Sequence, residues 1–111
     1  MNSIATTNSE VLEYIKSLSV LVVEDEEVMR LLYSILFEDM FGKMIFASNG
    51  EEGYEKFISD KIDVIITDYN MPLMNGLQMS AKIRNIDKDI PIILVSAINE
   101  IDVIVEALHL N

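Results

Sequence analysis

Four short, mostly apolar runs, each cut off abruptly by polar residues, constrain this chain more than any other feature. Ser19-Val20-Leu21-Val22-Val23 stops at Glu24-Asp25-Glu26, and Met44-Ile45-Phe46-Ala47 comes just before Asn49-Gly50-Glu51-Glu52. Ile62-Asp63-Val64-Ile65-Ile66-Thr67 stops at Asp68-Tyr69-Asn70-Met71-Pro72, and Pro91-Ile92-Ile93-Leu94-Val95 stops at Ser96-Ala97. Continuous apolar runs of this length suit strands buried on both faces of a parallel sheet. Pro72 cannot donate to a ladder, so it forces a loop after the third run.

Helical spacing fills the gaps between these runs. Thr7-Asn8-Ser9-Glu10 has the pattern of a capping box and opens a short lead-in helix with Val11, Leu12, Ile15 and Leu18 on one side, expected to pack on the body. Val28, Leu31, Leu32, Ile35 and Leu36 form a strong amphipathic stripe that fades near Met40-Phe41-Gly42, with Gly42 as its C-terminal stop. Asn49 caps a third helix with Tyr54, Phe57 and Ile58 on its apolar side, slightly weakened by Gly53. Asn75-Gly76-Leu77-Gln78 opens a fourth through about Asn85, and Ile101, Ile104, Val105 and Leu108 mark a last one. Strands alternating with helices predict right-handed βαβ units, hence a doubly wound α/β fold with a parallel sheet.

In such a fold the functional crevice lies beyond the carboxyl ends of the strands, so Glu24, Asp25, Asp68 and Ser96 are the residues to weigh. Singly, each has a plain structural reading: acids favour a helix N-terminus, Asp68 suits a turn, and Ser96 suits a cap. Jointly they bring three carboxylates into one mouth, where repulsion raises pKa values unless a cation is present. With no Cys and the single His109, expected to complement a helix C-terminus, the donor set is oxygen, and Mg²⁺ is the expected ion. Asp68, alone at its strand end, is the candidate nucleophile, since a carboxylate can form an acyl phosphate. A formal charge of −11 argues against nucleic acid or anionic lipid as a partner of this segment. No run of eighteen apolar residues and no signal peptide pattern is present, which leads us to expect a cytoplasmic chain with no membrane association.

The acidic doublet in Val22-Val23-Glu24-Asp25-Glu26, the segment from Val64 through Asp68-Tyr69-Asn70-Met71-Pro72-Leu73-Met74-Asn75-Gly76, and Pro91 through Ser96-Ala97 resemble the receiver domain of two-component response regulators, the CheY-like family. The likeness runs over about residues 19–110, with 43 residues from Asp25 to Asp68 and 28 from Asp68 to Ser96. It implies a flavodoxin-like sheet and an Asp68 that accepts a phosphoryl group from a sensor histidine kinase or phosphotransfer protein. It further implies Mg²⁺ held by Glu24, Asp25, Asp68 and the backbone carbonyl of Asn70, with Ser96 as the switch hydroxyl. Asn70 and Ile98 would fall at the positions that tune hydrolysis of the acyl phosphate. Such a module is a signalling domain and not an enzyme.

One departure from the family is marked. A fifth strand with a Lys before a Pro, an aromatic switch residue and a fifth helix would follow, and Lys61 and Lys88 stand at the amino ends of strands. The expectation is a receiver cut short at its C-terminus: an extension over residues 1–18 with a short helix, then a receiver over 19–111 with four strands of the usual five and the last helix absent. Strand four then becomes an unprotected apolar edge, and an oligomer or strand-exchanged dimer is expected. An output domain beyond Asn111 is also expected. The missing Lys leaves an alternative, a non-phosphorylated pseudo-receiver acting as a protein-interaction module. A haloacid-dehalogenase-type phosphatase fits poorly, because its second acid is here Asn70, and dinucleotide binding lacks a Gly-rich turn after strand one.

Overall fold

The computed structural model describes residues 8–95. Its elements run α1 (Asn8–Ile15), β1 (Ser19–Val23), α2 (Glu27–Phe37), β2 (Lys43–Ala47), α3 (Gly50–Ser59), β3 (Val64–Asp68), α4 (Gly76–Arg84) and β4 (Ile92–Val95). The strands form one parallel sheet in the order β2-β1-β3-β4, the flavodoxin-like doubly wound arrangement. The helix expected over 101–108 and His109 lie outside the described residues.

Alternation along the strands divides the core in two. Leu21, Val23, Ala47 and Ile65 face α3 and α4, where Met79 and Ile83 are fully buried and Tyr54 and Phe57 pack beside them. Val20, Val22, Val64 and Ile66 face the other way, under Tyr33, Phe37, Phe41, Met44 and Phe46. Gly53 belongs to the first face. A Cβ there would come within 2.7 Å of the Met79 sulfur and 2.9 Å of Val23, so this glycine lets α3 approach the sheet, a packing role that outweighs its modest helix penalty.

The packed side of α2 is not the side its periodicity suggests. Val28, Leu31, Leu32, Ile35 and Leu36 are all exposed, and the helix buries no residue outright. The contact with the sheet is instead aromatic: Tyr33 stacks on Phe37 at 5.9 Å, and Phe37 meets Phe41 edge-on at 5.7 Å. A row at i, i+4 and i+8 of large rings reaches the strand valines, leaving the aliphatic stripe outside. The helix also ends at Phe37, a turn earlier than expected, and Gly42 does not cap it. Gly42 instead donates its N–H to the Leu18 carbonyl, and a Cβ there would collide with the Lys16 carbonyl.

The cap signals fare better. Asn49 accepts from the Glu52 N–H, and Asn75 with Gln78 forms a reciprocal capping box. The lead-in helix does not pack as expected: α1 has no buried residue, with Val11, Leu12 and Tyr14 exposed. β4 lies at the edge of the sheet among the described residues, with Ile93 half exposed.

Candidate functional site

Parallel strands deliver their carboxyl ends to one side, and β1 and β3 are neighbours in register, Val23 beside Thr67. The residues that follow are therefore brought together. One carboxylate oxygen each from Glu24, Asp25 and Asp68 lies within 4.8 Å of the others. Glu24 is only 4% exposed, Asp68 is half-buried, and Asp25 is exposed. Asp68 is the last residue of β3 and shares the alternation of Val64 and Ile66, which points it toward the α2 face.

Electrostatics follow from this crowding. Burial pushes the Glu24 carboxyl up to about 7, opposed by the Glu26 N–H it accepts and reinforced by a hydrogen bond with Asp25 and the charges of Asp68 and Asp25. Asp68 is also raised, first by burial and then by Asp25, while the N–H groups of Tyr69 and Asn70 pull it down. Tyr33, beneath the acids on α2, is raised by burial and by the charges of Glu24 and Asp68. Three converging carboxylates, one of them deeply buried, fit a hard divalent cation: the donors are all oxygen, and neutralising them removes the repulsion.

The loop after Asp68 is tightly built. Gly76 donates its N–H to the Tyr69 carbonyl, and a Cβ there would stand 2.4 Å from the Asp68 carbonyl oxygen, so only glycine lets α4 begin so close to Asp68. The Met74 carbonyl accepts from the Gly50 N–H at the start of α3. Between these anchors Leu73 adopts φ 71, and the Met74 N–H reaches back to the Pro72 carbonyl, a three-residue turn. Asn70 is exposed in this loop, two residues past Asp68. Lys61 and Lys88 precede β3 and β4, at the opposite end of the sheet.

Ser96 and Ile98 lie outside the described residues. The strand before them is placed: Val95, the last residue of β4, pairs with Asp68, and its carbonyl accepts from the Tyr69 N–H at 3.1 Å. Sequence reasoning missed Arg30, whose Nη1 donates to the Glu24 carbonyl at 2.7 Å. The available signal was a cation in the first turn of a helix, where the dipole disfavours one.

The chain matches the family described as response regulator receiver domain over residues 20–111. It is 34% identical over 92 residues to the Regulator of RpoS of Escherichia coli strain K12, covering 83% of this chain and 27% of that protein. The N-terminal domain of an uncharacterized Wolinella succinogenes protein superposes with a TM-score of 0.79 at 34% identity, over 86% of this chain and 77% of that one. A CheX–CheY–BeF3–Mg²⁺ complex from Borrelia burgdorferi contains a similar chain, with a TM-score of 0.75 and 27% identity over 85% of this chain and 72% of that one. The curated relatives are longer proteins, this chain spanning 27% of the RpoS regulator and as little as 10% of another. A parallel sheet with three acids at its mouth and a match across residues 20–111 place the chain in the response regulator receiver domain family.

Proposed function

We propose that this chain is a phosphoacceptor module: Asp68 takes a phosphoryl group from a phosphohistidine on a sensor histidine kinase or phosphotransfer protein, and the modification is read out through Ser96. The observation that carries the reading is the convergence of the Glu24, Asp25 and Asp68 carboxylates within 4.8 Å at the end of β1 and β3. Glu24, Asp25, Asp68 and the Asn70 carbonyl would hold Mg²⁺, which supplies charge neutralisation at the phosphoryl oxygens. The similar Borrelia chain, found with BeF3 and Mg²⁺, supports that choice of ion.

In the transfer, an Asp68 carboxylate oxygen forms the new O–P bond as the P–N bond to the donor imidazole breaks. The imidazole nitrogen keeps the bonding pair. The N–H groups of Tyr69 and Asn70, which already act on Asp68, hold its carboxylate in place for attack. The chain would work in the cytoplasm as a signalling module, without turnover of a substrate of its own. Self-association belongs to the same proposal: the aliphatic stripe of α2, Leu31 to Leu36, is what a second copy would cover. A monodisperse monomer in light scattering at high concentration would refute it.

Among the described residues no helix is long and apolar enough to cross a membrane. Intact-mass spectrometry after incubation with Mg²⁺ and a small acyl-phosphate donor tests the central claim. The expected result is one hydroxylamine-labile phosphoryl group on this chain and none on Asp68→Asn. Modification of the Asn variant places the acceptor elsewhere, and an unmodified native chain favours the interaction-module reading.

A further inference from the structure

The geometry points to Arg30 as a positioning residue for the acid trio, acting through the backbone of Glu24; this rests on the cation-binding reading above. Arg30 is the one charged residue of α2 after Glu27, and it sits in the first turn, where the helix dipole disfavours a cation. Its position therefore needs a reason outside the helix. The hydrogen bonds supply one.

The half-buried guanidinium donates from Nη1 to the Glu24 carbonyl at 2.7 Å. On the other side of the same residue, the Glu24 N–H is held by the Ala47 carbonyl at 2.9 Å. Both backbone groups of Glu24 are thus gripped, one by β2 and one by α2, and its side chain accepts the Glu26 N–H at 3.1 Å. These bonds fix the direction in which Glu24 and, after it, Asp25 leave β1.

Arg30 in turn faces the turn before α3. It lines a cavity of about 200 Å³ with Phe46, Ala47, Ser48 and Glu52. Glu52 holds the N–H and hydroxyl of Ser48 at 2.6 and 2.8 Å, and its carboxyl is lowered first by those two bonds, with Arg30 a smaller contributor. The arrangement sets the start of α2 beside the turn before α3, with the Glu52 carboxylate near the guanidinium. Removing the guanidinium leaves the Glu24 carbonyl without this donor and releases the β1–α2 turn, so two of the three acids lose their aim.

The test compares the full chain with Arg30→Met, Arg30→Lys and Glu52→Gln, each titrated with MgCl2 and followed by amide NMR shifts at residues 24–26. Exchange of the Glu26 N–H and thermal midpoints are measured without Mg²⁺. We expect Arg30→Met to weaken Mg²⁺ binding about tenfold and to speed Glu26 exchange, with Arg30→Lys recovering part of both and Glu52→Gln losing about twofold. Thermal midpoints for Arg30→Lys and Glu52→Gln should stay close to the native one. Unchanged Mg²⁺ affinity and Glu26 exchange in Arg30→Met would overturn the role, as would losses that track the thermal midpoint across all three variants. Should Arg30→Met fail to fold, equal affinity in Arg30→Lys and native chain overturns it. No Mg²⁺ response in the native chain brings down the functional reading instead, and the Glu26 exchange rates still decide the part played by Arg30.

Discussion

The two faces of the sheet are built to different standards. Toward α3 and α4 the contact is closed, with Leu21, Ile65, Met79 and Ile83 at 0% exposure and Gly53 admitting a helix against the strand. Toward α2 the strand valines are also buried, yet the helix covering them buries no residue outright and leaves Leu36 66% exposed. Asp68 points to this second face, and Tyr33 beneath it responds to the acids. The closed face supplies stability, and the face with spare apolar surface holds the proposed phosphoacceptor.

The contrast can be broken most directly on the closed side. Ile83→Ala should cost about 3–4 kcal/mol in urea unfolding, because it empties a fully buried position in the closed core. A loss under about 1 kcal/mol would show that this core is looser than its burial implies.

The acid mouth should give the next effect. Glu24 is raised from an ordinary 4.5 to about 7, so below 4.5 it is protonated whether folded or not. As pH rises from 4.5 through 7 the unfolded chain ionises first, and stability is lost across that window. Asp68, also raised, adds in the same direction, whereas the lowered Glu52 loses its contribution only at more acidic pH. Without divalent cation the thermal midpoint at pH 8 should lie at least about 5 °C below that at pH 5, and Glu24→Gln should flatten the slope. A midpoint that rises over this range would contradict the assigned burial of Glu24.

Two substitutions on α2 sharpen the comparison further. Phe37→Ala removes the middle ring of the aromatic row and should cost about 2 kcal/mol, less than Ile83→Ala because Phe37 is only half-buried. Leu36→Gln, one residue earlier, should change unfolding free energy by less than about 0.5 kcal/mol when measured at a dilution where copies of the chain do not associate. Equal costs would mean that the aliphatic stripe is covered in solution.

Much of this was legible in the residues. The apolar runs located β1 to the residue, and the caps at Asn49 and Asn75 marked where α3 and α4 begin, because strand burial and N-terminal hydrogen bonds are local effects. Joint placement of Glu24, Asp25 and Asp68 followed from topology alone. The packed side of α2 did not, since EVMRLLYSILF is apolar on two sides and only the reach from helix to sheet decides between rings and aliphatic chains. Arg30 and Gly53 were also out of view, because their roles lie in distances to the Glu24 carbonyl and the Met79 sulfur.

The loop between Asp68 and α4 is pegged at two points, where Gly76 meets the Tyr69 carbonyl and where Gly50 meets the Met74 carbonyl. A segment fixed so near both its ends has few ways to travel. Moving it as a body would break one bond or the other, which leaves Pro72 and Leu73 as its outer stretch. Any change of charge on Asp68 thus meets a loop held to both α3 and α4, with Leu73, 79% exposed, at its tip.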